Sequence, residues 1–230
     1  PSSDPSMGQA KQIRNIVGNL KGGFFVECGA WDGESRSNTL KFEKDFGWRG
    51  LLIEADPVNY ESLLEKNRKA WSVNRCLSLK THPTEVMFDL NMSMGRISNL
   101  TKPKVTWQRQ VECLPLYSLM LALNVSTIDY FSLDVEGDEL PILKTIPWDK
   151  LNIRTLSVES FSKFKSKQIT KYISERGYKL YIQFSHPKGH DQDLIFHKND
   201  VLPKVKASSI KWYSSKHGRS KCKRKSIVFL

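Results

Sequence analysis

FFVECGAWDGESRSN, residues 24–38, decides how the rest of the chain is read. An apolar run breaks off in an acid, a cysteine, a pair of spaced glycines and a second acid, then gives way to Ser, Arg and Asn, the start of a helix. Strand, glycine turn and helix form the repeating unit of parallel α/β sheets, and the turn is where such sheets hold ligands. A phosphate-binding turn needs GxGxxG, so that backbone amides and a helix start reach an anion. Here only Gly29 and Gly33 are present, and Glu27 and Asp32 beside them repel phosphate. The loop is built for a cation.

Outward from that stretch, strands and helices alternate. Before it, Ile13, Ile16, Val17 and Leu20 recur at helical spacing within residues 9–20, and Gly22-Gly23 ends that helix. After it, the pattern predicts a helix over about 37–46 with Ser35 or Ser37 as cap and a buried strand over 51–54. A helix opened by Asp56-Pro57 then runs through 67, followed by a third strand over 71–78. Residues 85–90 and 105–114 break the alternation and read as antiparallel strands inserted into it. Alternation then resumes: helix 116–123, strand 128–134, helix 139–146, strand 155–159, helix 166–176. Two final strands, 178–184 and 194–197, lie close enough in sequence for an antiparallel hairpin. The fold class is therefore α/β: a Rossmann-like, doubly wound sheet, mostly parallel with right-handed crossovers, an antiparallel C-terminal hairpin and a small β insertion near 85–114. One domain is expected over 1–200, with 1–21 as its N-terminal helical region, followed by a basic extension over 201–230.

Composition sets the outer bounds. A chain of 230 residues, 39% apolar and 26% charged, can bury a proper core as an ordinary globular domain. No apolar run reaches the ~18 residues of a membrane span, so membrane attachment is expected only through a segment upstream of this sequence. The net charge of +12 is uneven: residues 201–230 hold nine Lys or Arg and no acid, leaving +3 for everything before them. The stretch 204–225, which includes HGRSKCKRK, suits an anionic partner. Nucleic acid is not expected, because only Trp212 and Tyr213 lie nearby to stack on bases. The four cysteines show no CxxC spacing, which argues against zinc and leaves disulfides permitted but not required. Sequons at Asn91, Asn99 and Asn124, together with a start that lacks methionine, tilt the chain toward the secretory pathway, with the cytoplasm as the alternative.

Each central strand ends in acids: Glu27 and Asp32 after the first, Glu54 after the second, Asp134 and Glu136 after the fourth parallel strand, and Glu159 after the next. S-adenosylmethionine suits this chemistry. It carries a sulfonium and an ammonium, lacks phosphate, and offers two ribose hydroxyls that Glu54 is placed to accept. For methyl transfer to a hydroxyl, the candidate bases are Asp134, Glu136, Glu159 and His190. Oxygen ligands also suit magnesium or calcium, but no motif fixes a metal and none is predicted. Trp31 is a candidate pocket wall, and Cys28 a small buried filler.

Taken together, FVECGAWDGESRSNTL, GWRGLLIEADP, YFSLDVEGDELPIL and QDLIFHK resemble the FkbM-type methyltransferase domain, over roughly 22–198, and within it the animal branch of Star-like proteins. The resemblance implies a seven-stranded Rossmann-like sheet, S-adenosylmethionine over the first loop, and O-methylation. Carried onto this sequence, it implies cofactor contacts from Glu27, Gly29, Ala30, Asp32, Gly33 and Asn38 on the methionine side. Glu54 would hold the ribose, with Ala55 a further cofactor contact beside it, while Asp56 and Cys76, Leu77 and Ser78 would lie near the adenine and Asp134 and Glu136 beside the methyl group. The function expected is an S-adenosylmethionine-dependent O-methyltransferase acting on a small molecule or glycan. The alternative is a Star-like binding or trafficking module that keeps the fold without turnover.

Overall fold

The computed structural model describes residues 4–91, 94–98, 107–185 and 192–206. Expectations that rest on His190, on Asn99 or on most of the basic extension lie outside them. Helix α1 (Gln9–Val17) precedes β1 (Phe24–Cys28), followed by α2 (Leu40–Phe46), β2 (Arg49–Ile53), α3 (Pro57–Glu65) and β3 (Trp71–Val73). Four short strands follow: β4 (Cys76–Leu77), β5 (Thr84–Asp89), β6 (Arg96–Ile97) and β7 (Gln108–Leu114). Then come α4 (Leu116–Ala122), β8 (Thr127–Ile128), β9 (Tyr130–Leu133), α5 (Glu139–Thr145), β10 (Asn152–Ile153) and β11 (Thr155–Ser160). The described chain closes with α6 (Lys163–Ser174), β12 (Tyr178–Ser185) and β13 (Gln192–Lys198).

The central sheet has seven strands in the order β12-β13-β11-β9-β1-β2-β3. Strands β3, β2, β1, β9 and β11 are mutually parallel, and β13 alone runs against its neighbours. Because helices cover both faces, β1 is buried without alternation, its one acid, Glu27, included. Phe25 faces a core with Ile13, Phe42 and Leu52, while Val26 faces the opposite one with Met120, Leu143 and Ile173. The first core packs α1–α3 and the second packs α4–α6, giving three layers. The expected α/β sheet, its closing hairpin and the β insertion are all present. The insertion is a second sheet, β4-β7-β5-β6, with β5 and β7 antiparallel.

Three local expectations are corrected. The strand expected over 128–134 is interrupted: β8 pairs β10 in a small separate sheet, and only β9 joins the main one. The strand expected over 71–78 is split. After Val73 the chain leaves the main sheet, and β4 joins the insertion, pairing Cys76 with Cys113 and bonding the two as a disulfide. Helix α2 starts at Leu40, with Thr39 rather than Ser35 or Ser37 at its N-cap position. Ser37 still serves the helix start from outside that position: its hydroxyl donates to the buried Glu27 carboxylate at 2.8 Å, while its oxygen accepts the Thr39 and Leu40 amides at 3.3 and 3.1 Å. The start of α3 is as read: Asp56 accepts from the amides of Val58 and Asn59, and Pro57 takes the first helical position.

Candidate active site

Two adjoining cavities open beyond the carboxyl ends of β1, β2, β9 and β11 and share Cys28, Gly29, Trp31, Asp134 and Glu136. This is where an open parallel sheet reverses its strand order and leaves a crevice. The first cavity lies under the insertion. Glu54 and Ala55 border it on one side, and Cys76, Leu77, Phe88 and Ile97 supply an apolar wall. The second, of about 340 Å³, is bordered by Glu27, Ala30, Asn38, Ser132, Glu159 and Phe161. Asp32, Gly33, Asp56 and Ser78 border neither cavity.

The acids of the first loop divide by task. Glu27 is 4% exposed, and its carboxylate accepts the Asn38 amide at 2.6 Å and the hydroxyls of Ser37 and Thr39 at 2.8 and 2.5 Å. It therefore braces the approach to α2 with three donors. Asp32 closes a turn instead, accepting from the Glu34 and Ser35 amides and the Ser35 hydroxyl. Partial burial pushes its pKa up, but those bonds outweigh it and hold the carboxyl below the usual range. Both carboxylates are thus engaged by donors of their own loop, and of the two only Glu27 borders a cavity.

Glu54 joins two loops. One oxygen accepts the Trp31 amide at 2.7 Å and the other the Asp56 amide at 2.9 Å. Burial pushes its pKa up to about 7, against the pull of those two bonds and of one from the Asn59 side chain. Gly29 lies where the first loop meets the end of β9. Its φ is +79°, and an added Cβ would strike the Asp134 carbonyl oxygen. Gly29→Ala is expected to cost about 2–3 kcal/mol, from the left-handed backbone and the overlap together. Denaturant unfolding checks this, and a loss within 0.5 kcal/mol, the range of ordinary surface changes, would contradict it.

The loop after β9 is shaped from below. Glu139, 1% exposed, accepts the Gly137 amide at 2.9 Å and the Val135 amide at 3.3 Å. Its pKa is pushed up to about 7, by burial first. Glu136 adopts a left-handed φ of 59°, an uncommon conformation for a residue with a side chain. Asp134, Glu136 and Glu159 each bring a carboxylate oxygen to within 4.8 Å of the others. Burial, and then the charge of Asp134, push the Glu159 pKa far up, and the two carboxyls share a hydrogen bond. Burial and the neighbouring carboxylates therefore favour the protonated form of Glu159. The three acids form the one group of metal-ligating side chains at that spacing among the described residues, and they hold a proton between them.

Asn38 donates from Nδ2 to Ser132 Oγ at 2.9 Å, while its buried Oδ1 has no hydrogen-bond partner. Burial, with the charges of Glu54 and Asp134, pushes the Cys28 thiol well up, which keeps it a filler. Sequence reasoning missed Arg68. Its side chain is 2% exposed and reaches the Gly33 carbonyl and the hydroxyls of Ser37 and Thr39. Its Nε lies 3.1 Å from the Glu43 carboxylate, an ion pair too bent to count as a hydrogen bond. No local pattern marks it, because every partner is distant in sequence.

Residues 27–180 match the family model of the methyltransferase FkbM domain. The FkbM methyltransferase of Methylobacillus flagellatus is similar in structure, with a TM-score of 0.54 and 17% identity over 78% of this chain. The chain spans 44% of that bacterial protein, less than half its length. A human methyltransferase 10 domain-containing protein is similar at a TM-score of 0.52 and 12% identity, covering 86% of this chain and 84% of the other. At these identities the structural likeness concerns the fold. No curated protein sequence matches the chain significantly.

Proposed function

The chain belongs to the FkbM methyltransferase domain family, whose cofactor is S-adenosylmethionine, and we propose that it methylates a hydroxyl group of a small molecule or glycan in the crevice bordered by Asp134, Glu136 and Glu159. The observation that carries the reading is the paired carboxyls of Asp134 and Glu159 beside a cavity that continues into an acid-lined, apolar-walled pocket.

The residues fit the cofactor by their chemistry. The crevice offers carboxylates where a sulfonium and an ammonium need them, and no array of amides for phosphate. Glu54 has lone pairs beyond its two amide bonds for the ribose hydroxyls, and Leu77, Phe88 and Ile97 give a planar base an apolar slot. Gly29 brings the backbone of the first loop against the end of β9, so that a ligand lies close to both. When bound, S-adenosylmethionine supplies a methyl carbon already activated for displacement.

The protein then has to align the acceptor and take a proton. Asp134 is the ionised half of its pair and accepts the hydroxyl proton. Glu159, protonated, donates to Asp134 and fixes its orientation. Glu136 adds negative charge beside the pair. Asn38 Oδ1 is a further acceptor for a hydroxyl donor at the rim of the second cavity. Phe161 and Trp31 limit water in the crevice.

Replacing Glu54 with Ala removes a charged hydrogen-bond acceptor worth ~1.5–3 kcal/mol. Calorimetry should show S-adenosylmethionine binding weakened about tenfold to a hundredfold. No binding by the wild type up to millimolar ligand would overturn the enzyme reading. The same residue sets a pH dependence. Its folded pKa, about 7, lies above the unfolded value of 4.5, so the fold favours the protonated form. Its contribution to the ligand-free stability is therefore lost as pH rises from about 4.5 to 7. Ligand hydroxyls favour the carboxylate, so affinity should rise as pH approaches about 7 and level off above it. Melting temperatures and titrations of wild type against Glu54→Gln check both signs. Equal pH slopes in the two proteins would contradict them.

A further inference from the structure

We propose that Asn124 is the acceptor of an N-linked glycan, attached while the chain matures in an oxidising lumen. The inference does not rest on methyl transfer. Asn124-Val125-Ser126 carries the amide and the hydroxyl that glycan transfer requires. Asn124 is exposed, has a left-handed φ of 53°, and follows α4 in the turn that leads to β8. Ser126 is exposed as well.

The position tolerates a bulky polar group. Asn124 precedes β8 and β9 at the amino end of the sheet, while both cavities open at the carboxyl end. A glycan there covers neither. Asn91 is also exposed, but it borders an open cleft with Glu136 and Lys165, where a glycan would stand at the mouth of the crevice.

A second, independent feature agrees. Cys76 and Cys113, 6% and 0% exposed, form a disulfide between β4 and β7. Such bonds persist in oxidising compartments and are rare where glutathione keeps thiols reduced. Sequons are used in the same compartments. In the transfer itself, Asn124 Nδ2 forms a bond to the anomeric carbon of a lipid-diphosphate-linked oligosaccharide. The amide loses a proton, and the lipid diphosphate leaves with the bonding pair.

One digest of the protein recovered from the cells that make it reads both features. Trypsin without reductant should release peptide 76–80 linked through Cys76 to Cys113 of peptide 110–144, which also contains Asn124. Glycosidase treatment that cleaves the sugar–asparagine bond should convert Asn124 to Asp and shift the intact protein by one glycan-sized step. That step should vanish in both Asn124→Gln and Ser126→Ala, the second of which leaves the asparagine in place. Unmodified Asn124 in the linked pair, or a glycosidase shift undiminished in both variants, overturns the proposal. Peptides 76–80 and 110–144 recovered as free thiols overturn the compartment.

Discussion

Asp134→Asn should lower the rate of methyl transfer about 10²–10⁴-fold, the usual contribution of a positioned general base. The asparagine keeps the shape of the side chain, but its amide cannot take a proton from the acceptor. Asp134 is suited to the task by where β9 stops. Its amide bonds the Cys28 carbonyl at 3.3 Å and its own carbonyl packs against Gly29, so the backbone under the carboxylate is tied to the first loop. Glu159 lies across the parallel register between β9 and β11, where burial and the charge of Asp134 push its pKa up, and in the proposed mechanism it is the donor of the pair.

That division of labour separates the two acids experimentally. Glu159→Gln retains a donor and should keep its rate within about tenfold of wild type, because it orients Asp134 without accepting the proton. Release of S-adenosylhomocysteine under single-turnover conditions, over a panel of hydroxyl acceptors, measures both. An Asp134→Asn enzyme within tenfold of wild type would remove Asp134 as the base. A Glu159→Gln loss as large as that of Asp134→Asn would make the pair, rather than Asp134, the reacting unit.

Arg68→Ala is expected to destabilise the domain by about 3–5 kcal/mol, the cost of leaving a buried charge without its partner. The charge left behind is Glu43, with its side chain 6% exposed and its oxygens also accepting the Lys69 and Ala70 amides at 3.1 and 3.2 Å. The arginine spans three pieces of chain. It pairs with α2 through Glu43, holds the first loop at Gly33, Ser37 and Thr39, and lies over the Phe25 ring with 5.8 Å from its guanidinium carbon to the ring centre. Losing it frees the loop that carries Gly29 and Trp31, so cofactor affinity should fall along with stability. The double variant Arg68→Met with Glu43→Leu removes both charges and should recover much of the lost stability without restoring the loop. Chemical denaturation of the single and double variants checks this. An Arg68→Ala loss below about 1 kcal/mol would place the pair among ordinary surface contacts.

Much of this protein was legible in the order of its residues. The break from Phe24–Cys28 into Gly29 and Gly33, the acid at Glu54 and the run Asp134-Val135-Glu136-Gly137 repeat a local pattern, strand then polar turn. That pattern survives in sequence because each unit is contiguous. Asp56-Pro57 fixed the start of α3 for the same reason: the cap, the proline and the amides they serve lie within four residues.

Tertiary structure decided how each of those acids is occupied. Glu27 and Asp32 carry the same charge as Asp134, but each is surrounded by donors from its own loop, and their carboxylates are spent on holding it. The Glu159 pKa is pushed up only because β11 lies beside β9 and buries its carboxyl near Asp134. Arg68, 25 residues from Glu43 and 35 from Gly33, and the bond between Cys76 and Cys113, 37 residues apart, join segments that no periodicity links. Sequence specifies side-chain chemistry at a strand end. Burial, register and the distance between remote segments then set the protonation and the partner, and those exist only once the sheet has closed.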